Sequence, residues 1–89
     1  MQSSDYPIEV AWNDLSYGIS VKEVSKEELG KQIGEVKRQK KPMPFENGDA
    51  NYIAVGSKIF EIKGTDIKNA IAVEIDGKTY EATKNRSLK

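Results

Sequence analysis

Two stretches in which apolar and polar residues alternate lie near the start of the chain. Apolar residues occupy every second position over residues 6–12 and 15–21, which is the period of a β-strand with one buried face. Asn13-Asp14 stands between the stretches and tolerates the positive φ of a tight hairpin turn. A two-residue loop there predicts that Val10 pairs with Tyr17 and puts every apolar residue on one face. The same register predicts three further pairs: Trp12 with Leu15, Ile8 with Ile19, and Tyr6 with Val21.

A second hairpin is predicted near the end of the chain. Apolar residues alternate over residues 71–75, and Asp76-Gly77 follows as one of the strongest short hairpin signals. A two-residue loop at this point pairs Val73 with Tyr80, and it also pairs Ile71 with Ala82.

The stretch between the hairpins begins with the sequence signature of a helix N-terminus. Ser25 followed by Glu28 forms a capping box, and Val24 with Leu29 has the spacing of a hydrophobic staple. These signals predict a short helix near residues 25–32. Gly30 and Gly34 would each cost about 1 kcal/mol in a helix interior. We therefore expect a strand near residues 33–39, with a single helix reaching about Lys40 as the alternative.

The remaining segments complete an α+β fold. Residues 40–51 form a loop with prolines and Asn47-Gly48, residues 52–55 form a short extended run, and residues 58–63 form a strand. The sum is about six short, mainly antiparallel strands in a curled sheet or partly open barrel, with one short helix near residues 25–32.

The length of 89 residues allows one domain. We expect this single domain over residues 6–84, with a disordered N-terminal segment at 1–5 and a flexible tail at 85–89.

Composition excludes several kinds of chemistry. The chain has 14 basic and 14 acidic residues, whereas nucleic-acid binders usually carry a basic excess, so no nucleic-acid partner is expected. Cys and His are both absent, which removes disulfides, thiolate and imidazole metal ligands, and the commonest general base. Asn47, Asp49 and Asn51 alternate as at the start of a calcium loop, but Tyr52 and Lys58 stand where that loop needs Gly and Glu. We therefore expect no cofactor, no metal site and no enzymatic activity.

The candidate contact site lies in the middle of the chain. A basic cluster is followed by a Pro-rich loop that carries exposed apolar candidates, and loops held by a rigid scaffold often make functional contacts. The lysines could instead simply keep the edge of a sheet solvated and unpaired. The aromatic residues could instead fill the core. The predicted contact residues are Lys37, Arg38, Lys40, Lys41, Met43, Phe45 and Tyr52.

Four segments in order resemble a largely uncharacterised set of small domains in surface lipoproteins of low-GC, Bacillus-type Gram-positive bacteria. They are Trp12-Asn13 leading to Tyr17; Val24-Ser25 with Glu28-Leu29-Gly30 and Ile33-Gly34-Glu35-Val36; Asn51-Tyr52 with Val55-Gly56-Ser57-Lys58-Ile59-Phe60; and Ala70-Ile71-Ala72-Val73 before Asp76-Gly77. The resemblance implies an extracytoplasmic protein tethered to the membrane by an upstream lipidated cysteine that this chain does not contain. It implies no catalytic or ligand-binding residues.

These observations favour a non-enzymatic binding module of a surface lipoprotein. Its partner would be another surface protein or an acidic component of the cell envelope, and contact with the membrane would come only through the upstream lipid anchor. A structural spacer domain and a small-barrel, cytoplasmic nucleic-acid-binding module are the alternatives.

Overall fold

A computed structural model describes residues 7–88. These residues form one curled, eight-stranded sheet with the order β3-β6-β7-β8-β2-β1-β5-β4, in which β4 and β5 are parallel and the other neighbours are antiparallel. The strands are β1 (Glu9–Trp12), β2 (Leu15–Glu23), β3 (Leu29–Glu35), β4 (Arg38–Gln39), β5 (Asp49–Ala50), β6 (Lys58–Ile62), β7 (Ala70–Ile75) and β8 (Lys78–Ser87).

The α+β prediction is wrong, because strand accounts for 55% of the structure and the predicted helix near residues 25–32 is not formed. The capping-box hydrogen bond is present, with Ser25 N–H donating to the Glu28 carboxylate, but it closes only a 3-10 turn at Lys26–Glu28. β3 begins immediately afterwards, which also excludes the single helix to Lys40. Within residues 7–88, no helix is long and apolar enough to cross a membrane.

The first hairpin has the predicted register. Val10 pairs with Tyr17 and Trp12 pairs with Leu15, and the connecting residues Asn13 and Asp14 have φ values of 55° and 61°. Positive φ at both turn positions gives the reversal whose twist matches that of the strands. The predicted partner of Val21, Tyr6, lies outside the described residues.

The second hairpin is also confirmed, with Val73 paired to Tyr80 and Ile71 paired to Ala82. β8 is longer than predicted, because residues 85–87 continue the strand beside β2. These three residues were predicted to belong to a flexible tail.

The sheet curls because its two edge strands are neighbours in the chain. Only Val36 and Lys37 separate β3 at one edge from β4 at the other, and the N–H of Val36 donates to the carbonyl of Ser57 while that of Lys37 donates to Gly48. The Trp12 ring of β1 packs against the core and lies against Gly34 of the edge strand β3, so the curl brings these two strands together. The inner wall is a continuous apolar core that includes Val10, Tyr17, Val36, Ala50, Ile53, Ile59, Ile71, Val73 and Ala82.

Candidate functional site

β1 is buried on both faces, which the alternation of its sequence does not indicate. Val10 faces the core, so Glu9 and Ala11 point to the opposite face, yet both are fully buried. Residues 42–46, here called the arm, lie on that outer side. Pro44 at the middle of the arm is fully buried, and its carbonyl faces Arg86 of β8, which also faces Glu9. The middle of the predicted contact loop is therefore packed on the sheet, whereas Pro42, Phe45 and Glu46 around it are exposed.

Asp49 of β5 holds one end of the arm. Its buried carboxylate accepts hydrogen bonds from the N–H groups of Phe45 at 3.1 Å and Glu46 at 2.9 Å, and from Nε of Arg38 at 2.8 Å. Burial alone would raise the pKa of Asp49, but the hydrogen bonds from Glu46, Arg38 and Phe45 and the charge of Arg38 outweigh it and lower that pKa. The ionised carboxylate is thus the form that fixes the arm.

The lowered pKa predicts how the Asp49→Asn variant depends on pH. A carboxylate whose pKa is depressed on folding stabilises the protein above the unfolded pKa of about 3.9, and this contribution is lost as pH falls through the folded value. Urea unfolding should show the variant less stable than the parent by about 2 kcal/mol at pH 7 and pH 5. The difference should become smaller at pH 3, and the same difference at all three pH values would contradict the role given to Asp49.

Asn51 holds the other end of the arm. It is fully buried; its Oδ1 accepts from Glu9 N–H at 2.9 Å, and its Nδ2 donates to the carbonyls of Pro7 at 2.7 Å and Pro42 at 3.0 Å. The polar residues that resembled a calcium loop are therefore bonded to backbone groups. Among residues 7–88, no group of three or more Asp or Glu residues is placed to hold a metal ion.

The basic segment, residues 37–41, leaves three of its charges exposed. Lys37, Lys40 and Lys41 are solvent-exposed, and none forms an ion pair with another residue of the described chain. Arg38 differs, because its guanidinium bonds to Asp49 and donates to the Asn47 carbonyl at 2.7 Å. It anchors the loop and is not a free contact residue.

Tyr52 lies beside one of these exposed lysines. Its side chain is 42% exposed, and Nζ of Lys41 stands 5.0 Å from the centre of its ring, which is the arrangement of a cation–π contact. The structure thus brings Tyr52 and Lys41 together, as the predicted site requires. We call Lys37, Lys40, Lys41 and Tyr52 the basic surface.

Met43 and Phe45 do not extend the basic surface. Met43 is half-buried in the arm. Phe45 is 59% exposed, but it lines a separate recess of about 360 Å³ together with Asp14, Glu46, Asn47 and Leu88. Of the seven predicted contact residues, four therefore form an exposed basic surface, Arg38 anchors the loop, Met43 is half-buried in the arm, and Phe45 lines a separate recess.

An apolar groove at another part of the sheet was not predicted as a site. It has a volume of about 500 Å³ and is lined by residues that include Ile8, Ile19, Val21, Ile75 and Tyr80. Val21 is 95% exposed, since it lies where the pairing of β2 with β8 is irregular between Ile19 and Glu23. The prediction that Val21 is buried is wrong, and the side chain lies in the part of β2 where the regular pairing on which the prediction depended is interrupted.

Comparison of the chain with protein-family models, with curated proteins and with solved structures finds no match. The membership suggested by the four sequence segments stays a prediction.

Proposed function

We propose that this chain is a non-enzymatic interaction module that binds an acidic partner through the basic surface. The observation that carries the proposal is the set of three exposed lysines, which form no ion pair with any of residues 7–88, beside a half-exposed tyrosine. The partner would be another surface protein or an acidic component of the cell envelope. The placement of the module in a surface lipoprotein depends on the sequence resemblance alone.

Charge supports an acidic partner. Lys37, Lys40 and Lys41 lie within five consecutive residues, so their positive potentials add in the solvent in front of β4. Such a surface speeds encounter with an anionic partner and repels a cationic one. The ring of Tyr52 adds apolar area beside these charges, and tyrosine is enriched at the centres of protein interfaces.

Rigidity supports a binding role as well. The backbone of the basic segment is tied to β5, because Lys37 N–H donates to the Gly48 carbonyl and Lys40 N–H donates to the Ala50 carbonyl. Arg38 and Gln39 add side-chain bonds to Asp49 and to the Ile53 carbonyl. A surface that is ordered before binding loses less conformational entropy on association.

Reversal of the three charges tests the proposal. The variant Lys37→Glu/Lys40→Glu/Lys41→Glu should recover its partner from a cell-envelope extract about tenfold less efficiently than the parent. The control variant Lys31→Glu/Lys63→Glu/Lys68→Glu changes the net charge equally with exposed lysines elsewhere and should recover as much as the parent. Tyr52→Ala should also reduce recovery.

Folding of each variant is checked by circular dichroism, and partners are identified by quantitative mass spectrometry. Equal recovery by the parent and both charge variants would contradict the proposal and favour a spacer role. Recovery of single-stranded nucleic acid in a steeply salt-dependent manner would favour the nucleic-acid alternative.

A further inference from the structure

A buried ionic cluster joins the end of β8 to β1. Glu9 has a fully buried side chain, and its Oε1 lies 3.6 Å from Nη1 of Arg86. Nδ2 of Asn85 donates a hydrogen bond to Oε2 of the same carboxylate. A buried carboxylate is tolerated when it is paired and hydrogen-bonded, so Arg86 and Asn85 are what make Glu9 compatible with its position.

Arg86 also reaches the arm. Its Nη2 donates to the carbonyl of Pro44 at 3.4 Å, between the points where Asn51 holds Pro42 and Asp49 holds Phe45 and Glu46. One guanidinium therefore contacts both the buried carboxylate of β1 and the middle of the arm. Its position depends on the last part of β8, where Ser87 pairs with Leu15 and Leu88 N–H donates to the Asp14 carbonyl.

We propose that Asn85 and Arg86 form a latch that couples the position of the arm to the pairing of the end of β8 with β2. If this end separates from β2, Glu9 loses Arg86 and Asn85 as partners, and the carbonyl of Pro44 loses its contact with the Arg86 guanidinium, so the middle of the arm is held less firmly. Lifting of the arm likewise removes a contact that holds Arg86. A coupling of this kind is reciprocal, so each element stabilises the other.

Incomplete hydrogen bonding in the cluster supports a latch that opens. Oε1 of Glu9 and Oγ of Ser16 are buried without a hydrogen-bond partner among the described residues. Ser16 lies opposite both Ala11 of β1 and Arg86 of β8, on the side of the sheet that the arm covers. Entering water would satisfy both atoms, which lowers the cost of opening at this place compared with the apolar core.

Amide hydrogen exchange of the intact protein tests the latch without any partner. In Arg86→Ala, the amides of Phe45 and Glu46 should exchange about tenfold faster or more, whereas amides of β6 and β7 should keep their rates. Arg86→Lys should restore part of the protection because it retains the charge. Lys84→Ala alters an exposed side chain of the same strand and should leave the arm unchanged.

The reverse direction is tested in the arm itself. Pro44→Gly should speed exchange of the Leu88 amide, which marks the end of β8. Glu9→Gln gives a second test of the cluster should Arg86→Ala fail to fold, and it should loosen the arm in the same direction. Unchanged arm exchange in Arg86→Ala or Glu9→Gln, or equal acceleration of every protected amide, would overturn the latch, and neither outcome bears on binding by the basic surface.

Discussion

Replacement of Asn51 by alanine is expected to lower the free energy of unfolding by about 3 kcal/mol. The side chain is fully buried and makes hydrogen bonds with the backbone of three separate residues, namely Pro7, Glu9 and Pro42. Each bond contributes about 1 kcal/mol net, and truncation also leaves buried backbone groups without partners. Because a small domain is stable by only about 5–15 kcal/mol, this loss is a large fraction of the total.

Thermal unfolding of Asn51→Ala should show a midpoint lowered by about 15 °C, as expected for a domain of this size. Asn69→Ala is the matched control, because Asn69 is exposed in the turn before β7, and its midpoint should change little. A midpoint for Asn51→Ala close to that of Asn69→Ala would show that the arm is not anchored through this residue.

Replacement of Gly34 by alanine is expected to cost about 2–3 kcal/mol. A Cβ atom at this position would lie 2.3 Å from Cη2 of Trp12, well inside van der Waals contact. The Trp12 ring is packed against the core and must shift to admit the methyl group. The substitution therefore strains the contact between β3 at the edge of the curled sheet and β1.

Gly18→Ala is the control for this substitution, since a Cβ atom at Gly18 meets nothing within 4 Å, and its stability should equal or exceed that of the parent. Urea unfolding of Gly34→Ala in a Trp12→Leu background should show a smaller loss than in the parent, because the two residues are in contact. An equal loss of unfolding free energy in both backgrounds would mean that the cost of Gly34→Ala does not come from a clash with the Trp12 ring.

The hairpins could be predicted from sequence because their signals are local and agree with one another. Asp76 and Gly77 adopt the positive φ values of 52° and 83° that the turn requires, and the flanking apolar residues then meet in register. The same agreement holds around Asn13 and Asp14. The turn and the register of each hairpin can be predicted from fewer than about ten neighbouring residues.

The helix prediction failed because a local signal was overridden by tertiary pairing. The capping box at Ser25 specifies how a helix starts and carries no information on how far it continues. β3 instead pairs with β6, where Gly30 lies so close to Glu61 that a Cβ would come within 3.1 Å of that side chain. Both glycines that disfavour a helix are thus positions at which another part of the chain approaches closely.

The candidate site could be predicted only in part. The exposure of Lys37, Lys40, Lys41 and Tyr52 follows from their place in a polar, Pro-rich stretch. The anchoring role of Arg38 depends on Asp49, which lies eleven residues away and meets it only through parallel pairing of β4 with β5. The burial of Glu9 depends on Arg86 from the far end of the chain, and no pattern near Glu9 indicates it.

An amide-resolved NMR titration of the intact protein with polyglutamate tests most directly that the basic surface is the contact site for acidic partners. Salt-sensitive shift changes are expected at residues 37–41 and at Tyr52, and they should be lost in the Lys37→Glu/Lys40→Glu/Lys41→Glu variant. No shift changes, or changes centred on the apolar groove around Val21 and Tyr80, would contradict this role of the basic surface.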